Sequence, residues 1–290
     1  MRTQPSVAIP GPGRCNAPGE GRSSHRACPP GRVIRMTIIR HGSLLLSMGL
    51  AVLLPMTALP ADLRLYAAAG VKAPLEQMAR DFEAATGNHV VLAFDTAGAA
   101  EQKFVADRGA TFLVTTEDRL RAAEAGGRLS DGVTRAVGAT VGGLAVTPGY
   151  THPDISTPDR LRDALLAAPR IAFSDPARGA TVGRHFMQVI DALGIRDAVL
   201  KKATLAADGV ETMHLVLDGK AEIGITQISE IMQADRAALL GPFPAQFDLA
   251  TTYALWMRVD APPEAQAFAA LVTSVPEREK LGAHGLRAPQ

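Results

Sequence analysis

The chain is 290 residues long, 47% hydrophobic and 20% charged, with a formal net charge of +1. That length and apolar content support a sizeable core and two lobes of ordinary domain size, and exclude a disordered or fibrous chain. Lys and Arg are interspersed with acids, which excludes the clustered positive charge that a nucleic-acid partner requires.

Residues 1–35 are rich in Pro, Gly, Ser and Arg, carry no apolar periodicity and end just before Met36. They are expected to be a non-translated or disordered extension, with translation starting at Met36. Residues 36–61 follow as a short basic region (Arg40, His41), an apolar run from Leu44 to Leu54 and a small-residue site around Ala61. That is the layout of a secretory signal peptide, and the run is short for a bilayer span. A retained N-terminal anchor is the rival reading. Cys15 and Cys28 both precede the run. Processing at Ala61 would therefore leave no thiol for a disulfide, a metal or a lipid, and the expected product is a freely soluble periplasmic protein without stable membrane insertion.

From Leu63 onward apolar runs alternate with amphipathic segments. Residues 63–69 read as a strand; Leu75, Met78, Ala79 and Phe82 then mark one helical face, with Pro74 in the first turn. A strand over 90–94, a helix over 99–106, a strand over 112–115 and a helix over 118–125 follow, the last ended by Gly126-Gly127. The texture changes to a long extended run over 136–147. Alternation then resumes with helices predicted over 158–167, 182–193 and 210–217 and strands over 171–173, 204–206 and 223–226. A second extended run, 247–259, precedes helices over 264–272 and 277–283. The pattern predicts an α/β fold of two doubly wound lobes joined by two crossing strands. Lobe one is expected over 62–139 and 240–290, lobe two over 140–239, with a ligand-enclosing cleft between them.

Two of the strands run into small-residue turns, Ala68-Ala69-Gly70 and Thr96-Ala97-Gly98, that open helices. Such turns aim backbone N–H groups and the positive end of a helix dipole at whatever lies above them. A third loop, Asp175-Pro176-Ala177-Arg178-Gly179-Ala180-Thr181-Val182-Gly183, has glycines for close backbone approach and Thr181 near a helix start.

In order along the chain, LYAAAG…LEQMARDFEAATGNHV, AFSDPARGATVGRHF, GVETMHLVLDGKAEIGITQ and EKLGAHGLRAP resemble the type II periplasmic binding proteins of ABC importers, most closely the periplasmic molybdate-binding family. The resemblance covers residues 62 to the C-terminus. It implies two lobes closing on an oxyanion of the molybdate or tungstate kind, and an ABC permease as partner. Carried onto this chain, the family's first serine falls on Gly70, its second on Ala97 or Gly98, its loop contact on Thr181, its next contact on Val210 and its tyrosine on Gln227. Backbone donors survive those replacements, but the serine hydroxyls and the phenol do not, which brings another oxyanion or a small organic carboxylate close behind molybdate.

Two helix N-termini balance about one negative charge. Lys72, in the first turn after Gly70, either supplies more or is a solvated lysine. Thr96 can supply a hydroxyl, and Gln227 is the preferred replacement for the tyrosine, with a core glutamine as the alternative. Asp95 reads as a cap for the next helix, or as a contact to a hydroxyl or amine of an organic ligand. Arg178 either reaches an anion or is a surface residue. Tyr253 and Trp256 are expected to pack near a crossing strand, with a direct ligand role as the lesser alternative. The expected ligand-binding set is thus Gly70, Lys72, Thr96, Ala97, Gly98, Thr181, Val210 and Gln227. His89, His152, His185, His214 and His284 form no metal-binding pair, and there is no G-x-S-x-G elbow. A binding protein without catalytic residues, metal or cofactor is therefore expected, with an exported enzyme or a receptor-docking sensor on the same fold as the competing classes.

Overall fold

The computed structural model describes residues 62–288. The extension and signal peptide expected over residues 1–61 lie outside the described residues.

The chain begins with β1 (Asp62–Ala68), a 3-10 turn (Ala69–Val71) and α1 (Lys72–Thr86), followed by β2 (His89–Asp95), α2 (Ala97–Ala106), β3 (Phe112–Thr116) and α3 (Glu117–Ala125). β1 pairs in parallel with β2 and with β3. α1 forms because Leu75, Met78, Ala79 and Phe82 recur on one face, which is buried, and it stops at Gly87, whose φ of 72° only glycine adopts without strain.

β4 (Gly132–Val146) is a single strand of 15 residues that serves two sheets. After it come α4 (Pro158–Ala167), β5 (Ile171–Ser174), α5 (Thr181–Ala192), α6 (Arg196–Leu200), β6 (Ala203–Ala206), α7 (Gly209–Leu217), β7 (Ile223–Gln227), α8 (Ile228–Ala234), β8 (Leu239–Pro242) and β9 (Ala250–Arg258), then α9 (Pro263–Val272) and α10 (Val275–Lys280). The first part of β4 pairs antiparallel with β9, which also pairs with β3; its last residues pair with β7 and β8. The strand order is β2-β1-β3-β9-β4-β7-β5-β6. Parallel strands sit to either side, and the antiparallel β4 and β9 carry the chain between the halves. The result is the α/β fold of two lobes and two crossing strands.

Apolar side chains gather accordingly. Leu65, Phe112, Leu255 and Phe268 belong to one core, and Leu144, Leu161, Phe173, Phe186 and Ile223 to another. Phe82 and Phe112 each meet Phe268, at 5.2 and 5.4 Å between ring centroids, while Phe173 meets Phe186 at 5.0 Å. Among the described residues no helix is long and apolar enough to cross a membrane.

Three elements were not anticipated. α6 is only five residues long, too short for a periodic signal. α8 follows β7 with no turn residue between them, started by Glu230 accepting from the Gln227 N–H at 3.1 Å. β8 pairs with β4 at Gly143–Ala145, and Phe243 just after it packs in the second core. The second crossing strand accordingly starts at Ala250, after a 3-10 turn at Ala245–Phe247, and not at Phe247.

Candidate ligand-binding site

A small cavity of about 30 Å³ lies where the two halves meet, lined by Ala68–Gly70, Thr96, Ala97 and Tyr253 from one side and by Ser174, Ala180–Val182, Gly209, Thr226, Gln227 and Glu230 from the other. That space holds about two waters or one small polyatomic group. Its walls follow from chain topology: parallel strands deliver their C-terminal ends, and the helices after them their N-termini, to the same edge.

The turn before α1 and the starts of α2, α5 and α7 all reach the cavity. Their caps are built differently. At α2 the Thr96 hydroxyl accepts from the Ala99 N–H at 3.1 Å, and at α7 Asp208 accepts from the Glu211 N–H at 2.9 Å, which leaves the earlier N–H groups of each helix without an intrahelical acceptor. α5 has no side-chain cap. α1 is partly closed off from across the interface: the Gln233 side chain accepts from the Ala73 N–H at 2.7 Å and donates to the Gly70 carbonyl at 2.9 Å. Several N–H groups and dipole ends thus converge on one small volume, a setting that favours negative charge.

Of the residues expected from sequence, Gly70, Thr96, Ala97, Thr181 and Gln227 line this cavity. Gly98 sits beside it at a close contact between the halves, where a Cβ would stand 2.7 Å from the Gly179 Cα. Lys72 and Val210 line a separate recess of about 250 Å³ with Glu76, His214 and the outer side of Glu230. The Lys72 ammonium lies 5.9 Å from the centre of the Phe94 ring. Thr181 Oγ1 and Gln227 Oε1 are buried with no hydrogen-bond partner among the described residues, whereas Gln227 Nε2 donates to Thr251 at 3.0 Å.

Asp95 is not the α2 cap. Thr96 takes that role, and the Asp95 carboxylate accepts from Lys103 at 2.7 Å and, across the cleft, from one Arg178 nitrogen, Nη2, which donates to its two oxygens at 2.9 and 3.1 Å. Burial pushes the Asp95 carboxyl up, but hydrogen bonds from Lys103, the Thr96 N–H and Arg178 outweigh it and hold the group below its ordinary value. The Thr96 hydroxyl also donates to the Arg178 carbonyl. Arg178 is the surface residue weighed from sequence, and it also bridges the halves.

Two residues outside the expected set also line the cavity: Tyr253, which lies on the crossing strand as expected, and Glu230, which sequence reasoning missed. Tyr253 on the crossing strand brings a phenol to the cavity, its hydroxyl filling the space above Gly70: a Cβ there would lie 2.2 Å from it. Burial and the Glu230 carboxyl raise the Tyr253 pKa well above its usual value, so the phenol stays a donor. Glu230 lies against Gly209 and accepts from the Thr226 hydroxyl and the Gln227 N–H. Burial pushes its pKa up to about 7, against the lowering effect of those two hydrogen bonds, and Asp208 adds to the rise. The readable signal was Gln227-Ile228-Ser229-Glu230, which has the spacing of a capping box. The described residues hold no cluster of His, Cys, Asp or Glu arranged for a metal ion.

Known proteins support this architecture. A molybdate-binding protein of Azotobacter vinelandii, ModA, is 29% identical over 188 residues, 62% of this chain and 69% of its own. The solved structure of the periplasmic molybdate-binding protein of that organism superposes with a TM-score of 0.62 at 20% identity, covering 79% of this chain and all of the other. An aconitate isomerase of Pseudomonas sp. is 25% identical over 225 residues, 76% of this chain and 83% of its own. That relative is an enzyme, which overturns the expectation that chains of this kind are binding proteins alone. Residues 63–287 match the bacterial extracellular solute-binding proteins along their length, and the chain belongs to that family.

Proposed function

We propose that this protein captures a small anion in the cavity between its lobes, in the periplasm, and presents it to the permease of an ABC importer. The observation that carries the reading is the convergence of the α2, α5 and α7 starts and the turn before α1 on a single cavity with no lysine or arginine in its lining. Desolvating an anion there is offset by N–H donors and dipoles in place of water. On this reading lobe one runs from residue 62 to about 139 and resumes near Ala250, because β8 and Phe243 pack with lobe two.

Glu230 adds a titratable group to the lining that serves an organic carboxylate as well as an oxyanion. A carboxyl with a pKa of about 7 can take up a proton and donate it to a bound carboxylate. The same group supports a second reading, proton transfer on a bound organic acid, since a carboxyl poised near neutrality next to a Tyr253 donor suits general acid–base work.

A thermal-shift panel of molybdate, tungstate, sulfate, phosphate and small carboxylates tests capture. An anion present at a hundred times its dissociation constant should add about 2.7 kcal/mol. No shift with any of them rejects capture. Incubating the same protein with aconitate and following the olefinic protons by NMR tests turnover. Isomerisation abolished by Glu230→Gln supports the second reading, and an unchanged spectrum rejects it for that substrate.

A further inference from the structure

A second cavity, of about 500 Å³, adjoins the first and shares Thr181 with it. Its polar wall is built from Glu101 on α2, Arg119 on α3, Arg128 just after α3, and Thr181 and Arg184 on α5. Glu101 is buried and takes both Arg119, at 2.8 Å, and Arg128, at 3.0 Å. Glu117 and Asp118, the other acids of the lining, are both engaged by Arg121.

Arg184 is left over. Among the described residues its guanidinium has no hydrogen-bond or ion-pair partner, and burial together with the Arg119 charge lowers its pKa from the ordinary value. Arg119 and Arg128 thus take up the Glu101 carboxylate and Arg184 is left with none, an arrangement that an added anion would relieve. Thr181, one helical turn before Arg184, points the same way: its buried hydroxyl is unpartnered at the junction of the cavities. Residues at i and i+3 on a helix are about 5–6 Å apart at Cβ, a spacing comparable to that between carboxylates on a two- or three-carbon chain.

We propose that Arg184 and Arg119 form a second anionic subsite, so that the ligand is an organic acid with at least two carboxylates. One carboxylate sits among the helix starts of the small cavity. The other accepts from Arg184 and Arg119, and the Thr181 hydroxyl donates between them. This rests on the capture reading and narrows its ligand class.

Calorimetric titration of propionate, succinate, tricarballylate and molybdate into the parent protein and Arg184→Gln tests the subsite. Arg184 is exposed and unpaired, so the variant should fold normally, with circular dichroism as the control. The parent should bind succinate or tricarballylate at least about tenfold more tightly than propionate, because a guanidinium–carboxylate pair is a charge-assisted bond. Arg184→Gln should erase that gap and leave propionate unchanged. A gap that persists in the variant, or molybdate binding the parent more tightly than either polycarboxylate, overturns the subsite while capture stands. If the parent binds none of the four, the subsite falls, and the thermal-shift panel with sulfate, phosphate and tungstate decides separately whether capture falls with it.

Discussion

Glu230 is the residue whose chemistry matters most to stability and binding alike. Its pKa rises from the usual 4.5 to about 7 on folding, so between those values the folded chain holds a proton that the unfolded chain has released. Stability should therefore fall as pH rises through that window, by at most about 3 kcal/mol, and stay level above it. Asp208 and Tyr253 face the carboxyl, and Glu76, Lys72 and His214 line the recess on its outer side. Glu230→Gln keeps an acceptor for Thr226 and the Gln227 N–H but cannot ionise. Urea unfolding from pH 4 to 8 should give a parent-minus-variant difference that follows this curve. A flat difference would mean that the carboxyl is solvated and ordinary.

At the level of elements, the junction of β5 and α5 is a tightly built part of the site. Gly183 lies directly against the end of β5, where a Cβ would stand 2.0 Å from the Ser174 carbonyl oxygen. Backbone cannot swing aside as a side-chain tip can, so Gly183→Ala should push the start of α5 outward. A cost of about 1–3 kcal/mol in urea unfolding is expected. Anion affinity should fall with it, because the Thr181 end of α5 moves away from the cavity. Unchanged stability would place the strand and helix further apart than described. The helices themselves were readable from the 3.6-residue period of Leu75, Met78 and Phe82, and of Phe186, Val189 and Ile190. α8 was not, since its seven residues follow β7 directly, with no turn to announce them.

For the whole molecule, the two halves are held in contact by Asp95 with Arg178, by Gln233 on the Gly70 turn, and by the backbone approach of Gly98 to Gly179. A Cβ at position 98 meets only backbone there, the Gly179 Cα at 2.7 Å and the Arg178 carbonyl at 3.1 Å. Gly98→Ala should leave each half folded by circular dichroism yet block their close approach. The expected signs are at least a tenfold loss of anion affinity and no ligand-dependent compaction in small-angle scattering. Compaction equal to the parent's would mean that the halves close elsewhere. The Asp95 contact has its own pH sign. A carboxyl held below its ordinary pKa contributes above that value and is lost as pH falls through the lowered one, so the halves should separate in acid.

Sequence by itself determined the alternation of strands and helices, the two long crossings, and the glycine- and alanine-rich turns that open helices, because each rests on local periodicity or on the backbone freedom of small residues. Only the tertiary structure decided which chemistry meets at the cavity. Tyr253 supplies a hydroxyl over Gly70 from 183 positions along the chain, Glu230 acquires its raised pKa from burial against Gly209, and Asp95 finds Arg178 across the cleft. Desolvation and contact between distant segments exist only after the lobes have formed and met, and no local pattern records them.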